Sequence, residues 1–487
     1  MTQLPDLTYI LPELIVVVMA MVLLIYGVFA GETSVRSVSW ASVLTLIVAG
    51  LALSLGPDER TTVFGGQFVI DAFARFMKWL VLLGSALAIV MSLRYNARER
   101  MARFEYPVLI LFATLGMLMM ISANDLIALY VGLELQSLSL YVIAAFRRDS
   151  LRSSEAGLKY FVLGALSSGM LLYGSSMIYG FAGSTGFDAL AATFKSAHGG
   201  PGIGVVVGLV FVLAGLAFKV SAVPFHMWTP DVYEGAPTPV TAFLSVASKA
   251  AGFAVILRVF YVAFDTELMS PDWGAVFAVL AILSMSLGNL VAILQTNIKR
   301  MLAYSSVAQI GYMMLGIGLV SINGLTAGIV HLFNHALMKG ALFLALSGVV
   351  LRLGSVELHD LRGLGKRMPA TAFAFVLGGL SLIGVPLTVG FISKWYLVLA
   401  ALEQGWWPLA VLVLLGSLLA LVYIWRVVEV AYFQAPPADA PEVREAPLSM
   451  QIPMWILLIA VFYFGISTSL TAGIARRAAI LLLGEAP

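Results

Sequence analysis

Residues 215–231 read GLAFKVSAVPFHMWTPD, which places Lys219 five residues before Pro224 inside a long apolar run. Residues 378–395, GGLSLIGVPLTVGFISKW, place Lys394 eight residues after Pro386 in a similar run. Proline removes a helix hydrogen bond and leaves carbonyl groups without partners, which a membrane tolerates only against protein or a water-filled cavity. The two stretches therefore predict two broken membrane helices, each with a buried lysine beside the break.

The composition indicates a membrane protein. Of the 487 residues, 61% are hydrophobic and 11% are charged, and the mean hydropathy is +0.98. The net charge of +2 gives no reason to expect a nucleic-acid partner. The chain contains no cysteine, which excludes thiolate-bound iron–sulfur clusters, attached haem and disulfides within it. We therefore predict neither a cofactor nor a metal in this chain.

The apolar runs predict an all-α polytopic bundle of about fourteen transmembrane helices. The helices are expected to begin near residues 9, 38, 71, 105, 125, 156, 203, 238, 273, 298, 323, 370, 406 and 450. Lys and Arg concentrate in alternate loops, which predicts that these loops are cytoplasmic and that both termini lie outside. The basic loops carry Arg36, Arg94, Arg98, Arg100, Arg103, Arg147, Arg148, Arg152, Lys299, Arg300, Arg352, Arg362, Lys366, Arg367 and Arg444. The other loops carry Arg60, Lys195, Arg476 and Arg477.

The separation of Pro224 and Pro386 suggests an internal repeat. Their spacing fits two units of five helices, and an odd number of helices inverts the second unit relative to the first. We predict four regions on this basis: 1–104 with three N-terminal helices, 105–263 as the first repeat (helices 4–8), 273–434 as the second, inverted repeat (helices 9–13), and 448–487 as a C-terminal helix.

Four ionisable residues lie deep in the predicted spans: Glu134, Lys219, Lys249 and Lys394. A charge at the centre of a membrane helix costs about 2.5–3.5 kcal/mol on insertion scales, so this series suggests a route for protons or ions. If Glu134 faces Lys219, the pair can exchange protonation states. The alternatives are a protonated, structural Glu134 and a Lys394 that extends to the nearer helix end.

Five further residues are candidates for the same route. His331, His335 and Lys339 recur at intervals of four, on one helical face, and could connect the two halves. They could instead be packing residues; a metal site is less favoured because no carboxylate or cysteine is nearby. His226 could be a gate or could bind a freed carbonyl, and Lys159 could extend the relay or be solvated.

Residues 218–253 and 297–316 resemble the antiporter-like subunits of respiratory complex I and of the multisubunit Mrp cation/proton antiporters. Residues 11–29 and 104–181 resemble subunit N of bacterial NADH:quinone oxidoreductase in particular. This resemblance implies a non-redox subunit of a proton-translocating enzyme in the bacterial inner membrane, surrounded by lipids and by other membrane subunits of the complex. NAD, FMN, iron–sulfur clusters and quinone are then expected in partner subunits.

The resemblance also implies roles for single residues. Glu134 and Lys219 correspond to the ion pair of the first half-channel, Lys249 to the connecting lysine, and Lys394 to the group of the exit half-channel. A lysine at 394 agrees with subunits N and L, whereas subunit M has glutamate there. The C-terminal third, in residues 331–343, 358–369, 378–403 and 443–450, resembles the D-type component of the Mrp antiporters. The alternative function is therefore cation/proton exchange, with Na⁺ as a further transported ion and with Mrp subunits as partners.

Overall fold

A computed structural model describes residues 7–57, 59–196, 202–265, 269–437 and 442–484. Within these ranges the chain is helical apart from loops and one small hairpin, in which β1 (Thr61–Val63) pairs antiparallel with β2 (Phe68–Ile70). The sequence did not indicate this hairpin, because two three-residue strands are too short to show an alternating pattern.

The described residues contain twenty α-helices, which are numbered here in chain order. The first ten are α1 (Leu11–Ala30), α2 (Val35–Ser54), α3 (Ala72–Arg98), α4 (Glu105–Ser122), α5 (Leu126–Ala144), α6 (Leu151–Ala182), α7 (Phe187–Ser196), α8 (Ile203–Val220), α9 (Trp228–Gly235) and α10 (Thr238–Phe243). The others are α11 (Lys249–Arg258), α12 (Ser270–Leu294), α13 (Ile298–Gly318), α14 (Ile322–Leu353), α15 (Leu364–Arg367), α16 (Pro369–Ile383), α17 (Val389–Glu403), α18 (Trp407–Val428), α19 (Leu448–Ile466) and α20 (Ser469–Leu483).

The predicted class, an all-α polytopic membrane protein, is confirmed. Among the described residues, eleven helical segments are long and apolar enough to cross a membrane. One of these segments, Leu7–Ser54, contains both α1 and α2, which a 3-10 turn at Gly31–Ser34 separates. The count of fourteen helices stays a prediction, as does the inverted repeat.

Both predicted helix breaks are present. Helix α8 ends at Val220 and helical structure resumes with α9 at Trp228; α16 ends at Ile383 and α17 begins at Val389. At the first break the indole Nε1 of Trp228 donates a hydrogen bond of 2.8 Å to the carbonyl of Phe218. The same carbonyl accepts a hydrogen bond of 3.0 Å from the Ser221 N–H, so a side chain and a turn together replace the helical donor that the break removes.

The C-terminal region differs from the single helix predicted over 448–487. It contains two helices, α19 and α20, because Ser467 adopts an extended conformation and ends α19. Serine and threonine compete with helical hydrogen bonds through their hydroxyls, which explains a break at Ser467 and Thr468. The last three residues of this predicted region, and the first six of the N-terminal one, lie outside the described ranges.

Helix α14 lies at the centre of the bundle. It is buried along nearly its whole length and packs against α3, α10, α13, α16, α17, α19 and α20. The bundle exposes large apolar side chains on its periphery, for example Phe29, Leu151 and Ile203. Such an exterior suits a hydrocarbon or subunit environment, and α14 is among the helices that are shielded from both.

The connecting segments interact in two groups. At one end, here named the basic end, Arg103 pairs with Glu32 and Arg147 pairs with Glu99 at 2.8 Å. At the opposite end, Arg60 contacts Asp188 of α7 at 2.8 Å. Burial acts to raise the pKa of Asp188, but hydrogen bonds from Arg60 and Asn124 outweigh it and lower the pKa. These contacts follow the two loop sets that the Lys and Arg distribution defines.

Candidate proton-transfer site

Helix α5 carries the first part of the candidate site. The Glu134 carboxylate accepts a hydrogen bond from the Ser168 hydroxyl of α6. Lys219, at the end of α8, is 7% exposed and donates to the Ser137 hydroxyl at 2.5 Å. Ser137 follows Glu134 by three residues, so both titratable groups are bound on one face of α5.

The expected direct ion pair between Glu134 and Lys219 is absent from the described residues. The ammonium of Lys219 reaches α5 about one turn beyond Glu134, where it lies 5.7 Å from the centroid of the Tyr141 ring. Ser137 therefore receives the hydrogen bond that the sequence assigned to Glu134. The structure brings the two groups to one stretch of helix without joining them.

Lys249 follows a π-helical turn over Leu244–Ser248. Its side chain is 1% exposed, its Nζ has no hydrogen-bond partner among the described residues, and it lies 5.6 Å from the Tyr233 ring centroid. The last residue of the π turn, Ser248, accepts a hydrogen bond of 2.7 Å from Gln136 of α5. Turns of this kind are rare and occur frequently at functional sites. The sequence predicted an uninterrupted helix here.

The three residues spaced by four in α14 are all fully or almost fully buried. Lys339 donates to the Leu302 carbonyl at 2.8 Å and to the Ser305 hydroxyl, both on α13. The Nδ1 atom of His331 lies 2.9 Å from the Ser393 hydroxyl on α17, one residue before Lys394. The Nε2 atoms of His331 and His335 have no partner in the described part of the chain. Helix α14 thus extends from α13 to the second break.

Lys394 is 5% exposed and turns into the second break. Its ammonium donates to the carbonyls of Leu382 and Ile383 at 3.0 and 2.9 Å, and to the Ser417 hydroxyl at 2.9 Å. Pro386 lies four residues after Leu382 and cannot supply the N–H that a continuous helix would place there. The lysine therefore takes the place of the missing helical donors. The alternative, in which its side chain extends out of the bundle to the nearer end of the predicted span, is wrong.

Two candidates lie apart from this buried series. Lys159 is 42% exposed and forms ion pairs of 2.8 Å with Glu155 and Asp231. His226 is half-buried in the connection between α8 and α9, and its Nδ1 has no partner among the described residues. No described hydrogen bond joins either residue to Lys219 or Lys249.

Two buried ion pairs were missed from the sequence. Lys78 of α3 contacts Glu13 of α1 at 2.6 Å, with side-chain exposures of 2% and 8%. Arg258 of α11 binds both carboxylate oxygens of Asp71, the N-cap of α3, at 2.8 and 3.0 Å. The seven-residue spacing of Asp71 and Lys78 places them on one face of α3, which is the only sequence signal for this arrangement.

The fold and the site together define a class of protein. A polytopic helical bundle with two broken helices, a buried lysine at each break and further titratable groups between them is an ion-translocating membrane protein. The same buried series sets it apart from a membrane scaffold, which has no need of unpaired lysines.

Comparisons with known proteins identify the family. The family model described as NADH:quinone oxidoreductase/Mrp antiporter, TM, matches residues 123–420. A protein of Parvibaculum lavamentivorans named NADH-quinone oxidoreductase subunit N is 49% identical over 461 residues, which cover 94% of each chain. The chain belongs to the NADH-quinone oxidoreductase subunit N family. It is a multi-pass protein of the inner membrane, and the resemblance found in the sequence is confirmed.

Solved structures agree with this assignment. A chain of respiratory complex I from Thermus thermophilus is 32% identical, with a TM-score of 0.79 over 96% of this chain and 99% of that one. A chain of the Mrp complex from Dietzia sp. DQ12-45-1b is 26% identical, with a TM-score of 0.83 over 97% of each chain. Both neighbours are components of membrane complexes.

Proposed function

We propose that this chain is a proton-translocating membrane subunit of a respiratory NADH:quinone oxidoreductase and acts without a redox centre of its own. The observation that carries the proposal is the series of titratable side chains that runs from the partly buried Glu134 through the buried Lys219, Lys249, His335 and His331 to Lys394. NAD, FMN, iron–sulfur clusters and quinone belong to partner subunits, and this chain contributes to the enzyme as a subunit.

The first half of the relay works through the charge on Glu134. An ionised Glu134 stabilises the nearby Lys219 ammonium, and protonation of Glu134 removes that stabilisation. The proton of Lys219 then becomes available to the next acceptor. Serine hydroxyls at 137 and 168 support this exchange because a hydroxyl both donates and accepts.

The centre of the relay accepts the proton. A buried ammonium without hydrogen-bond partners is costly, so the unpartnered Nζ of Lys249 favours the neutral amine that can receive a proton. The unpartnered Nε2 atoms of His331 and His335 offer the next acceptors along α14. Buried polar atoms of this kind commonly bind ordered water, which would complete each transfer.

Lys394 completes the relay as its exit group. Three oxygen atoms accept hydrogen bonds from its ammonium, so the site stabilises a proton that has crossed from the first half. Protons would leave toward the side opposite the basic loops, which the distribution of Lys and Arg predicts to be cytoplasmic. His226 and Lys159 lie near the basic end, where they could admit protons to Lys219.

The variant Lys219→Met tests the relay. Methionine is an unbranched apolar side chain of similar size that carries no titratable amine, so the complex should assemble while NADH-driven proton pumping is lost. Proton uptake by inverted membrane vesicles and NADH oxidation are measured together. Lys195→Met, which changes an exposed lysine of α7, is the matched control and should pump normally. Normal pumping by Lys219→Met would refute the relay.

Cation/proton exchange in an Mrp-type assembly is the second candidate. The likeness to the Mrp chain of Dietzia and the Mrp-like segments within residues 331–450 favour cation/proton exchange. The higher identity to the subunit N relatives favours the respiratory enzyme. Purification of the tagged chain from its host in mild detergent, with mass spectrometry, separates the two. We expect NADH- and iron–sulfur-bearing subunits to co-purify. Small hydrophobic antiporter subunits without redox proteins, together with Na⁺-driven proton flux, would establish the second candidate.

A further inference from the structure

A groove of about 1470 Å³ opens at the basic end of the bundle. Tyr141, whose ring lies beside the Lys219 ammonium, is one of its lining residues. Helices α1, α4, α5 and α6 enclose it. Its walls are apolar and face the exterior: Val142 and Leu158 are 52% and 62% exposed. Leu109, Phe112 and Phe161 complete this surface. The groove thus offers an elongated hydrocarbon contact that opens sideways to the membrane.

The rim of the groove carries both signs of charge. Its charged side chains are Arg100, Arg103, Arg147, Arg148, Glu99, Glu105 and Asp149. Two of the arginines are engaged by carboxylates, because Arg147 pairs with Glu99 and Arg103 pairs with Glu32. Two cationic and two anionic side chains of the rim, namely Arg100, Arg148, Glu105 and Asp149, therefore have no ion pair among the described residues and can bind a ligand.

The remaining four groups have no ion-pair partner among the described residues. Arg100 and Arg148 are exposed at the mouth. Glu105 lies in the first turn of α4, and its Oε2 is buried without a hydrogen-bond partner. Asp149 is exposed beside Arg148. A buried carboxylate oxygen without a donor is costly, which indicates that a ligand supplies one.

We propose that this groove binds one phospholipid whose headgroup carries a phosphate and a primary ammonium, the phosphatidylethanolamine class. Arg100 and Arg148 bind the phosphate, because guanidinium groups match phosphate oxygens. Glu105 and Asp149 accept hydrogen bonds from the ammonium. The acyl chains lie along the apolar walls. Basic pockets between membrane helices are known to bind lipid headgroups, and here the added carboxylates select the headgroup type.

Other headgroups fit the rim less well. An anionic glycerol headgroup satisfies the arginines and leaves both carboxylates without a cation. A choline headgroup has no N–H and cannot donate to the buried Oε2 of Glu105. A transmembrane helix of another subunit fills the apolar walls and offers no phosphate to the arginines. The lipid would also fix α1 against α5, the helix that holds Glu134.

The test uses the intact complex in detergent, equilibrated with equal amounts of deuterated ethanolamine, glycerol and choline phospholipids. Native mass spectrometry then counts the lipids retained. The wild type should retain the ethanolamine lipid preferentially. Arg100→Gln/Arg148→Gln should lower its retention by about a hundredfold, because about tenfold is lost with each of the two charge-assisted hydrogen bonds. Arg36→Gln/Arg94→Gln, outside the groove, is the matched control and should retain it normally.

Two further variants separate the headgroup from the acyl contacts. Glu105→Gln/Asp149→Asn should shift the preference toward the glycerol lipid, because only the cations remain. Val142→Trp should expel the lipid by filling the groove, whereas Leu138→Trp, on the same helix and equally exposed, should not. Equal retention in all variants, or a wild-type preference for the glycerol lipid, would overturn the proposal. A photocrosslinker at Leu158 that captures another subunit in place of lipid would also overturn it.

Discussion

Serine hydroxyl groups contact three of the titratable side chains in the candidate site. Glu134, Lys219 and Lys394 contact Ser168, Ser137 and Ser417, respectively. A serine hydroxyl donates to a carboxylate or a neutral amine and accepts from an ammonium, so it remains bonded when the proton moves. A rigid ion pair would favour one protonation state. Serine partners are therefore suited to groups that must change charge repeatedly.

The titratable residues could be predicted from the sequence, but their partners could not. Glu134, Lys219, Lys249 and Lys394 stand out because charge is expensive in a membrane helix. Ser137 and Ser168 give no such signal, since serine occurs throughout these helices. The prediction of a direct contact between Glu134 and Lys219 was wrong for the same reason. A difference of one helical turn along α5 decides which residue binds Lys219, and the sequence periodicity does not fix that difference.

The ion pair of Glu13 and Lys78 provides a prediction on stability. Glu13→Ala leaves a buried ammonium without its partner and should destabilise the protein by about 3–5 kcal/mol. Glu32→Ala, which breaks an exposed pair with Arg103, should cost about 0–1 kcal/mol. Thermal unfolding of the detergent-solubilised complex compares the two variants. The double variant Glu13→Leu/Lys78→Met should recover much of the loss, and equal unfolding temperatures for the two single variants would contradict this assignment.

At the scale of elements, the breaks were predictable and the π turn was not. Pro224 and Pro386 carry a direct signal, because proline cannot continue the hydrogen-bond ladder. The π turn over Leu244–Ser248 has no proline or glycine in it. Its register depends on how α10 packs against α3 and α14 and on how α11 packs against α3 and α8, which is tertiary information. The same holds for the ending of α19 at Ser467.

The close crossing of α4 and α5 gives a prediction at this scale. A Cβ atom at Gly116 would lie well inside van der Waals distance of the backbone nitrogen of Gln136, so Gly116→Ala must push the two helices apart. Overpacking of this kind costs about 1–3 kcal/mol, and it should also displace Ser137 from Lys219 and reduce pumping. Gly169→Ala on α6 meets nothing within 4 Å and should be neutral or slightly stabilising. Unfolding temperature and NADH-driven pumping are measured for both, and identical behaviour would disprove the crossing.

At the scale of the whole molecule, orientation remains the main prediction. The chain lacks cysteine, so single cysteines can be introduced without removing natural ones. Ser355 lies between α14 and α15, among the basic loops, and Ser196 lies at the end of α7 on the opposite side. Each is replaced by cysteine in a separate variant. A membrane-impermeant maleimide should label Ser196→Cys in intact cells with the outer membrane permeabilised, and Ser355→Cys only in inverted vesicles. The reverse pattern would invert the proposed direction of proton flow.

The order of helices could be predicted from hydropathy, but their arrangement could not. Helix α14 is less apolar than its neighbours α16 and α19, yet it occupies the centre of the bundle. Its position follows from its contacts with seven other helices, and those contacts place His331, His335 and Lys339 between the two breaks. A lipid-facing and a buried apolar stripe look alike in sequence, which is why the groove beside α5 had no sequence signal either.

The main-chain acceptors of Lys394 have a consequence for how the two halves evolve. The carbonyls of residues 382 and 383 exist whatever side chains those positions carry, so substitutions there leave two of the three hydrogen bonds to the lysine intact. Around Lys219, by contrast, a single replacement of Ser137 removes the partner. Genetic suppressors of first-half defects can therefore arise by restoring a nearby hydroxyl. Defects in the backbone of the second break have no such remedy, and revertants there should return to the original residue.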